Sequence, residues 1–244
     1  MIISDAPSPN LNARADGKEA SLLILHYTDT LNTFEALKIL QSEERKVSSH
    51  YLVGDDGQIM RLVPEEMRAW HAGKSWWEGE TDINSTSIGI EIQNPGHTNG
   101  YVPFPEVQMK AVIELCRDII QRNKILPYHV LAHSDIAPER KADPGELFPW
   151  ERLAGAGIGL WPKVTDAIEL DAREIHGKDD EVKSLLGRYG YDPRADFTAV
   201  ITAFQRHFEP EVFREDRPGE VTIHTVRRLM ALVKQRLTLR PKLA

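Results

Sequence analysis

Apolar residues in the first 135 positions come mostly in short runs and alternations, and after position 160 they recur three and four apart. Leu22-Leu23-Ile24-Leu25 is a four-residue run, too short for a helix and suited to a strand buried on both faces. Val47–Val53 and Gln58–Val63 read as strands around Asp55-Asp56-Gly57, a hairpin signal. Ser87–Gln93 alternates most cleanly: Ile88, Ile90 and Ile92 share one face, and Gly89, Glu91 and Gln93 the other. Val130-Leu131 is a short strand running into His133. Two segments carry the helical period instead. Thr33–Leu40 is short; Pro105–Asn123 is long, with Met109, Val112, Ile113, Cys116, Ile119 and Ile120 on one stripe and Pro105 in the first turn. Residues 5–20, with Pro7, Pro9, Asn10, Asn12 and Gly17, read as an irregular lead-in.

Pro144, Gly145 and Pro149 break regular structure after the last strand, and the Gly-rich stretch from Gly155 to Trp161-Pro162 marks a domain boundary. Beyond it, Asp180–Tyr189, Asp196–Phe208 and Thr222–Leu237 are amphipathic helices, a small three-helix bundle. The expectation is an α/β unit over 1–160 and a helical unit over 161–244.

Charge and cysteine content narrow the function class. A net charge of −7 argues against nucleic acid as the main partner, and the acidity belongs to the front of the chain. A single cysteine excludes an internal disulfide framework and a zinc ribbon. No apolar run approaches the ~18 residues of a membrane span. The segment Met1–Pro7 has neither a basic nor an apolar signal region, so the expected compartment is the cytoplasm, or the periplasm for a trimmed mature form.

Candidate chemistry is sparse. The chain has no Gly-x-Ser-x-Gly elbow, no His-Glu-x-x-His helix and no Walker-type phosphate loop. Cys116 falls on an apolar stripe and reads as a buried structural thiol. His26 follows the buried strand directly, His133 follows Val130-Leu131, and Asp143 comes ten residues later. Two imidazoles and a carboxylate are a common hydrolytic zinc set that leaves a fourth position for water. Spacing alone does not single this trio out from nine histidines. Glu91, on the non-isoleucine face of its strand, faces either solvent or a site; an unpaired ionised carboxylate on a covered sheet is costly.

Five pieces then occur in order: Leu25-His26-Tyr27-Thr28; Ser49-His50-Tyr51-Leu52-Val53; Arg68-Ala69-Trp70-His71-Ala72-Gly73; Ser87-Ile88-Gly89-Ile90-Glu91; and His133-Ser134-Asp135-Ile136-Ala137-Pro138 with Arg140-Lys141-Ala142-Asp143-Pro144-Gly145. Together they resemble the type-2 N-acetylmuramoyl-L-alanine amidases, which share a fold with peptidoglycan recognition proteins. The resemblance covers residues 20–153 and implies a mixed central β-sheet flanked by helices. It implies one zinc ion held by His26, His133 and Asp143, with Glu91 as the catalytic carboxylate and Lys141 steadying the developing oxyanion. Trp70, His71, Ala72 and Gly73 match a segment lining the substrate groove, and Tyr27, His50, Asn94 and Arg140 complete the expected substrate-contacting set. Lys141 and Asp143 sit two apart, so an extended segment points both side chains the same way.

The helical unit resembles a peptidoglycan-binding domain through Leu185-Leu186 and Tyr189-Gly190-Tyr191, through Ala199-Val200 and Ala203-Phe204-Gln205, and through Gly219, Thr222 and Leu229. It departs from that pattern where the usual Asp-Gly turn is replaced by Arg214-Glu215-Asp216-Arg217-Pro218-Gly219. The alternative is a bundle that packs on the catalytic unit. The implied activity is hydrolysis of the amide between N-acetylmuramic, or 1,6-anhydro-N-acetylmuramic, acid and the L-alanine of the stem peptide, in peptidoglycan recycling. The alternatives are the same chemistry on polymeric wall in the envelope, and a non-catalytic recognition module, whose members typically lack a zinc ligand. The expected partner is a muropeptide or peptidoglycan, with no nucleic acid and no membrane span; oligomeric state stays open.

Overall fold

The structure, a computed structural model, describes residues 1–15 and 17–239; the last five residues of the expected 161–244 unit lie outside the described residues. Its centre is a six-stranded mixed sheet in the order β1-β5-β4-β7-β3-β8, built from Ile3–Asp5 (β1), Leu22–Tyr27 (β3), Tyr51–Val53 (β4), Ile59–Arg61 (β5), Ser87–Ile92 (β7) and Val130–Ala132 (β8). β4, β7, β3 and β8 run parallel, and β5 turns back against β4. The hairpin expected at Asp55-Asp56-Gly57 is present, with Val53 paired to Ile59 and Gly54 N–H donating to Gln58 O at 2.9 Å.

Strand parity sorts the core. Leu23 and Leu25 of β3 and Ile88, Ile90 and Ile92 of β7 point to one face, where Met109, Val112, Cys116 and Ile119 of the helix Glu106–Asn123 (α3) cover them. Each of these isoleucines, fully buried, contributes about 1.5–3 kcal/mol of hydrophobic stabilisation. On the opposite face, Leu22 and Ile24 of β3 and Leu131 of β8 join a core with the C-terminal helices. Leu52 of β4 and Met60 of β5 lie under Ala36 and Leu40 of the helix Thr33–Gln41 (α1). Between these two coverings the face is left for side chains of another kind.

The lead-in is less irregular than its composition suggests. Leu11–Ala13 (β2) pairs antiparallel with Met67–Ala69 (β6) as a separate two-stranded ribbon. Asn10 pins the approach by donating to Ser42 O at 2.9 Å and Val47 O at 2.8 Å. Strands of three residues carry no readable alternation.

After a one-turn helix His133–Ile136 (α4) and a short helix Trp150–Gly155 (α5) come four helices: Asp166–Ile175 (α6), Asp179–Tyr189 (α7), Phe197–Phe208 (α8) and Ile223–Leu239 (α9). The last three match the expected bundle, and α6 joins them. Its apolar positions Ile168 and Ala172 are buried, and Thr165 accepts the Ile168 N–H at its start. Trp77 wedges into the helical unit against Tyr189 and Tyr191, with ring centroids 6.0 and 5.1 Å away. The turn between those tyrosines must be glycine. Gly190 has φ +144°, and a Cβ there would lie 2.4 Å from the Trp77 ring.

Candidate metal and catalytic centre

Three adjacent strands end at one place. His26 is paired in register with Glu91 on β7, and Leu25 is paired with Ala132 on β8, so His133 lies beside His26. Crevices at the carboxyl ends of parallel strands are where such sheets bind ligands, because rigid backbones hand side chains to a solvent-reachable gap. His26 and Glu91 have the parity of Ile24 and Gly89, which places them on the face away from α3. Asp143 arrives from the loop after α4, whose Ser134 N–H donates to the Asp143 carbonyl at 3.1 Å.

The donor atoms form a nearly equilateral triangle. His26 Nδ1 lies 2.9 Å from His133 Nδ1, and each is 3.0 Å from Asp143 Oδ2. His26, His133 and Asp143 are 1, 3 and 6 % exposed. A tetrahedral ion with bonds of about 2.0–2.1 Å spaces its ligands about 3.3 Å apart, so this triangle needs to open only a few tenths of an ångström to take one. The three residues form a group able to hold a metal ion.

Hydrogen bonding behind the triangle leaves the right atoms free. The carbonyl of Ile83, which opens the one-turn helix Ile83–Thr86 (α2), can only accept, so the Ser87 hydroxyl donates to it at 2.6 Å. Ser87 Oγ then accepts from His71 Nε2–H at 3.1 Å. Burial, reinforced by His26 and His50 nearby, holds the His71 imidazole neutral with its pKa well below the usual value. Its Nδ1 must therefore accept, and His26 Nε2–H donates to it at 3.0 Å. A neutral His26 is left with its Nδ1 lone pair aimed into the triangle. Burial and the neighbouring His133 lower the His26 pKa to about 4, against the opposing pull of Asp143. His133 Nε2–H donates to Ala72 O at 3.1 Å, and its Nδ1 faces the triangle. Burial pushes the Asp143 carboxyl upward, but the two imidazoles outweigh it and hold the group below the usual carboxylate range. A neutral His26 beside a carboxyl held below the usual range suits a metal, whose ligands must be deprotonated.

Gly89 is explained by the same chain. A Cβ at this position would lie 2.5 Å from His71 Cγ, so the imidazole rests directly on the strand backbone. Glu91, two residues on, has one buried carboxylate oxygen without a hydrogen-bond partner among the described residues. Burial, then the Asp143 charge, raises its pKa well above the ordinary value, and Lys141 opposes that rise. A proton-hungry carboxyl beside three metal-type donors is the arrangement of a general base.

These groups open into a cleft of about 370 Å³ lined by Tyr27, Trp70, His71, Glu91, His133, Arg140, Lys141 and Asp143 among others. Trp70 Nε1–H donates to Asn12 Oδ1 at 2.6 Å, and the Tyr27 hydroxyl lies 2.8 Å from His97 Nδ1. Burial and Asp143 push the Tyr27 hydroxyl pKa up to about 12. Arg140 donates to Ala72 O and, at 2.7 Å, to Lys74 O, which fixes the wall.

Four expected substrate contacts are placed differently. His50 is fully buried; its Nδ1 accepts the Gly89 N–H at 3.0 Å and its Nε2 lies 3.1 Å from Met67 O, so it ties β7 to β6 away from the cleft. Asn94, also buried, donates to Val102 O at 2.8 Å and accepts from Gly96 N–H at 3.0 Å, which shapes a loop. Ala72 presents its carbonyl to His133, not its side chain to the cleft, and Gly73 does not line it. His71 lines the cleft, but its ring nitrogens are engaged with His26 and Ser87. Cleft residues that sequence reasoning missed include Thr28, Asp29 and Thr30. They continue β3 past its carboxyl end, which is the signal that could have found them.

Residues 16–146 match the N-acetylmuramoyl-L-alanine amidase family. The chain is 41% identical over 228 residues to N-acetylmuramoyl-L-alanine amidase AmiD of Escherichia coli K12, covering 85% of this chain and 82% of that protein. It is 30% identical over 164 residues to the 1,6-anhydro-N-acetylmuramyl-L-alanine amidase AmpD of Enterobacter cloacae, covering 60% of this chain and 86% of the relative. The solved complex of E. coli AmiD with anhydro-N-acetylmuramic acid-L-Ala-D-γ-Glu-L-Lys superposes with a TM-score of 0.79 at 38% identity, over 92% of each chain. The family match, the sequence identity and the superposition agree: the chain belongs to the N-acetylmuramoyl-L-alanine amidase family.

Proposed function

We propose that this protein is a zinc-dependent amidase that cleaves the bond between the lactyl carbonyl of N-acetylmuramic, or 1,6-anhydro-N-acetylmuramic, acid and the L-alanine of the stem peptide, in peptidoglycan recycling. The observation that carries this reading is the His26–His133–Asp143 triangle with the unpartnered Glu91 oxygen beside it at the strand ends. Its relatives are named for this bond, and one is solved with an anhydromuramoyl peptide bound.

His26, His133 and Asp143 are the residues that would hold the ion. When bound, zinc supplies Lewis acidity and a water acidic enough to attack at neutral pH. Glu91 accepts the proton that the attacking water gives up and delivers it to the departing amine of L-alanine, without which the amide does not break. Lys141 lines the same cleft and presents its ammonium to the charge that develops on the carbonyl oxygen. Tyr27 and Trp70 offer flat aromatic walls to the sugar. In this reading residues 1–160 contain every group that touches the reacting atoms, and the helical unit acts on them from behind.

Among the described residues no helix is long and apolar enough to cross a membrane. Recycling of soluble fragments fits a cytoplasmic setting, and cleavage of intact wall fits the envelope. Mass spectrometry of products from soluble anhydromuramoyl peptides and from intact sacculi tests both the chemistry and the setting. We expect free stem peptide with an L-alanine amino terminus, abolished by a chelator and restored by zinc. Products cut at a glycosidic bond, or cleavage indifferent to the chelator, would overturn the assignment.

A further inference from the structure

One buried carboxylate takes no part in the chemistry above. Asp135, 1 % exposed, lies two residues after His133 in the single turn α4. Three donors converge on it: Ala132 N–H at 2.8 Å and His207 Nδ1 at 2.7 Å on Oδ2, and the Tyr191 hydroxyl at 2.6 Å on Oδ1. Two of the three come from the C-terminal helical unit, 56 and 72 residues away in sequence. Both donors are themselves held. The His207 ring is stacked between Trp150 and Phe208, with centroids 3.7 Å from each. The Tyr191 ring packs on Trp77 and Phe204.

A four-residue helix cannot hold its own orientation, because one turn fixes many dihedrals for little hydrogen bonding. The orientation of α4 is therefore set by what grips it. A buried carboxyl held by three hydrogen bonds grips firmly, since moving it would leave buried polar groups unsatisfied. The same turn carries His133, and its Ser134 N–H holds the backbone carbonyl of Asp143. Two of the three corners of the donor triangle thus hang on α4.

We propose that Tyr191 and His207 are positioning residues for the metal centre: the C-terminal helices hold Asp135, and Asp135 holds the turn that aims His133 and Asp143. This rests on the metal reading above and gives the helical unit a role in every turnover, independent of any affinity for polymer. The test uses the full chain. Tyr191→Phe removes one hydroxyl and keeps the ring; His207→Leu removes the donor; His207→Asn keeps a donor near the Nδ1 position. Val182→Ala is the comparison variant, loosening the same core from the first turns of α7, seven residues before Tyr189. Zinc affinity by chelator competition, the visible spectrum of the cobalt form, melting temperature, and kcat and KM on a soluble anhydromuramoyl peptide are measured for all five proteins.

Loss of an outer hydrogen bond at a metal site costs about 10–100-fold in affinity or activity. We expect Tyr191→Phe and His207→Leu to weaken zinc binding about tenfold, shift the cobalt spectrum and lower kcat with KM little changed. His207→Asn should recover most of the loss. Val182→Ala should lower the melting temperature while zinc affinity stays at the wild-type value. Unchanged zinc affinity in Tyr191→Phe, which preserves the fold most closely, would overturn the proposal, as would an equal loss in Val182→Ala. A wild-type protein that binds no metal would overturn the underlying reading as well, a result distinguishable from the other two.

Discussion

Strand β7 shows two regimes on its two faces. Toward α3 it presents Ile88, Ile90 and Ile92, all fully buried among apolar neighbours. Toward the cleft it presents Ser87, Gly89 and Glu91: a hydroxyl that anchors a hydrogen-bond chain, a bare backbone that seats His71, and a carboxyl with one oxygen unpartnered among the described residues. The two sets alternate residue by residue, so a register slip of one position would exchange them. The apolar face fixes the register, and the register delivers Glu91 beside His26. Stability and chemistry are separated here by 180° of side-chain direction within six residues.

That separation predicts different consequences for neighbouring substitutions. Glu91→Gln should retain fold and metal yet lose about 10²–10⁴-fold in kcat, the usual worth of a general acid–base group. Near-normal turnover with full metal content would mean that another group moves the protons. Lys141→Ala should bind zinc normally and lose about 10²–10³-fold in kcat, more than it raises KM, because an oxyanion contact tightens only as charge develops. A change confined to KM would make Lys141 a substrate-binding charge.

Substitutions at adjacent positions of β7 separate its two faces. Gly89→Ala would place a Cβ 2.5 Å from the His71 ring, and His71→Phe would remove the acceptor that sets the His26 tautomer. Both should weaken zinc binding about 10–100-fold, read by chelator competition. One position along, Ile90→Val deletes a methylene on the other face. It should cost about 0.5–1.5 kcal/mol of stability in denaturant melts and leave zinc affinity and kcat unchanged. If Ile90→Val altered metal binding as much as Gly89→Ala, the two faces would not be independent.

The extent to which this was readable from sequence follows the range of the interactions. β3, β7 and α3 carry their own periodicity, and His26, His133 and Glu91 could be placed at or near strand ends from that alone. Asp143 could not. It comes from an irregular loop and meets His26 across 117 residues, a contact set by where the loop is pinned rather than by any local pattern. The resemblance to a known family supplied it. The part played by His71 is hidden for a similar reason. Trp70-His71-Ala72-Gly73 reads as a groove wall, yet the ring turns inward because Gly89, on a different strand, leaves room. His50 and Asn94 are buried hydrogen-bonding residues whose burial no short window shows. The grip of Tyr191 and His207 on Asp135 joins segments that sequence reading places in separate units, and the core shared by Leu22, Leu131 and Phe204 follows the same path. Helix α6 was legible in principle, with Ile168, Ala172 and Ile175 at helical spacing, but it follows a Gly- and Pro-rich stretch that reads as linker.

We propose that His26, His133 and Asp143 hold one metal ion on the cleft face of the sheet. Metal content by mass spectrometry, on wild-type and His26→Ala proteins purified without added metal, tests it most directly. We expect about one equivalent of zinc in the wild type, removed by a chelator and regained on adding zinc, and a small fraction of that in His26→Ala. A full equivalent retained by folded His26→Ala protein would contradict it.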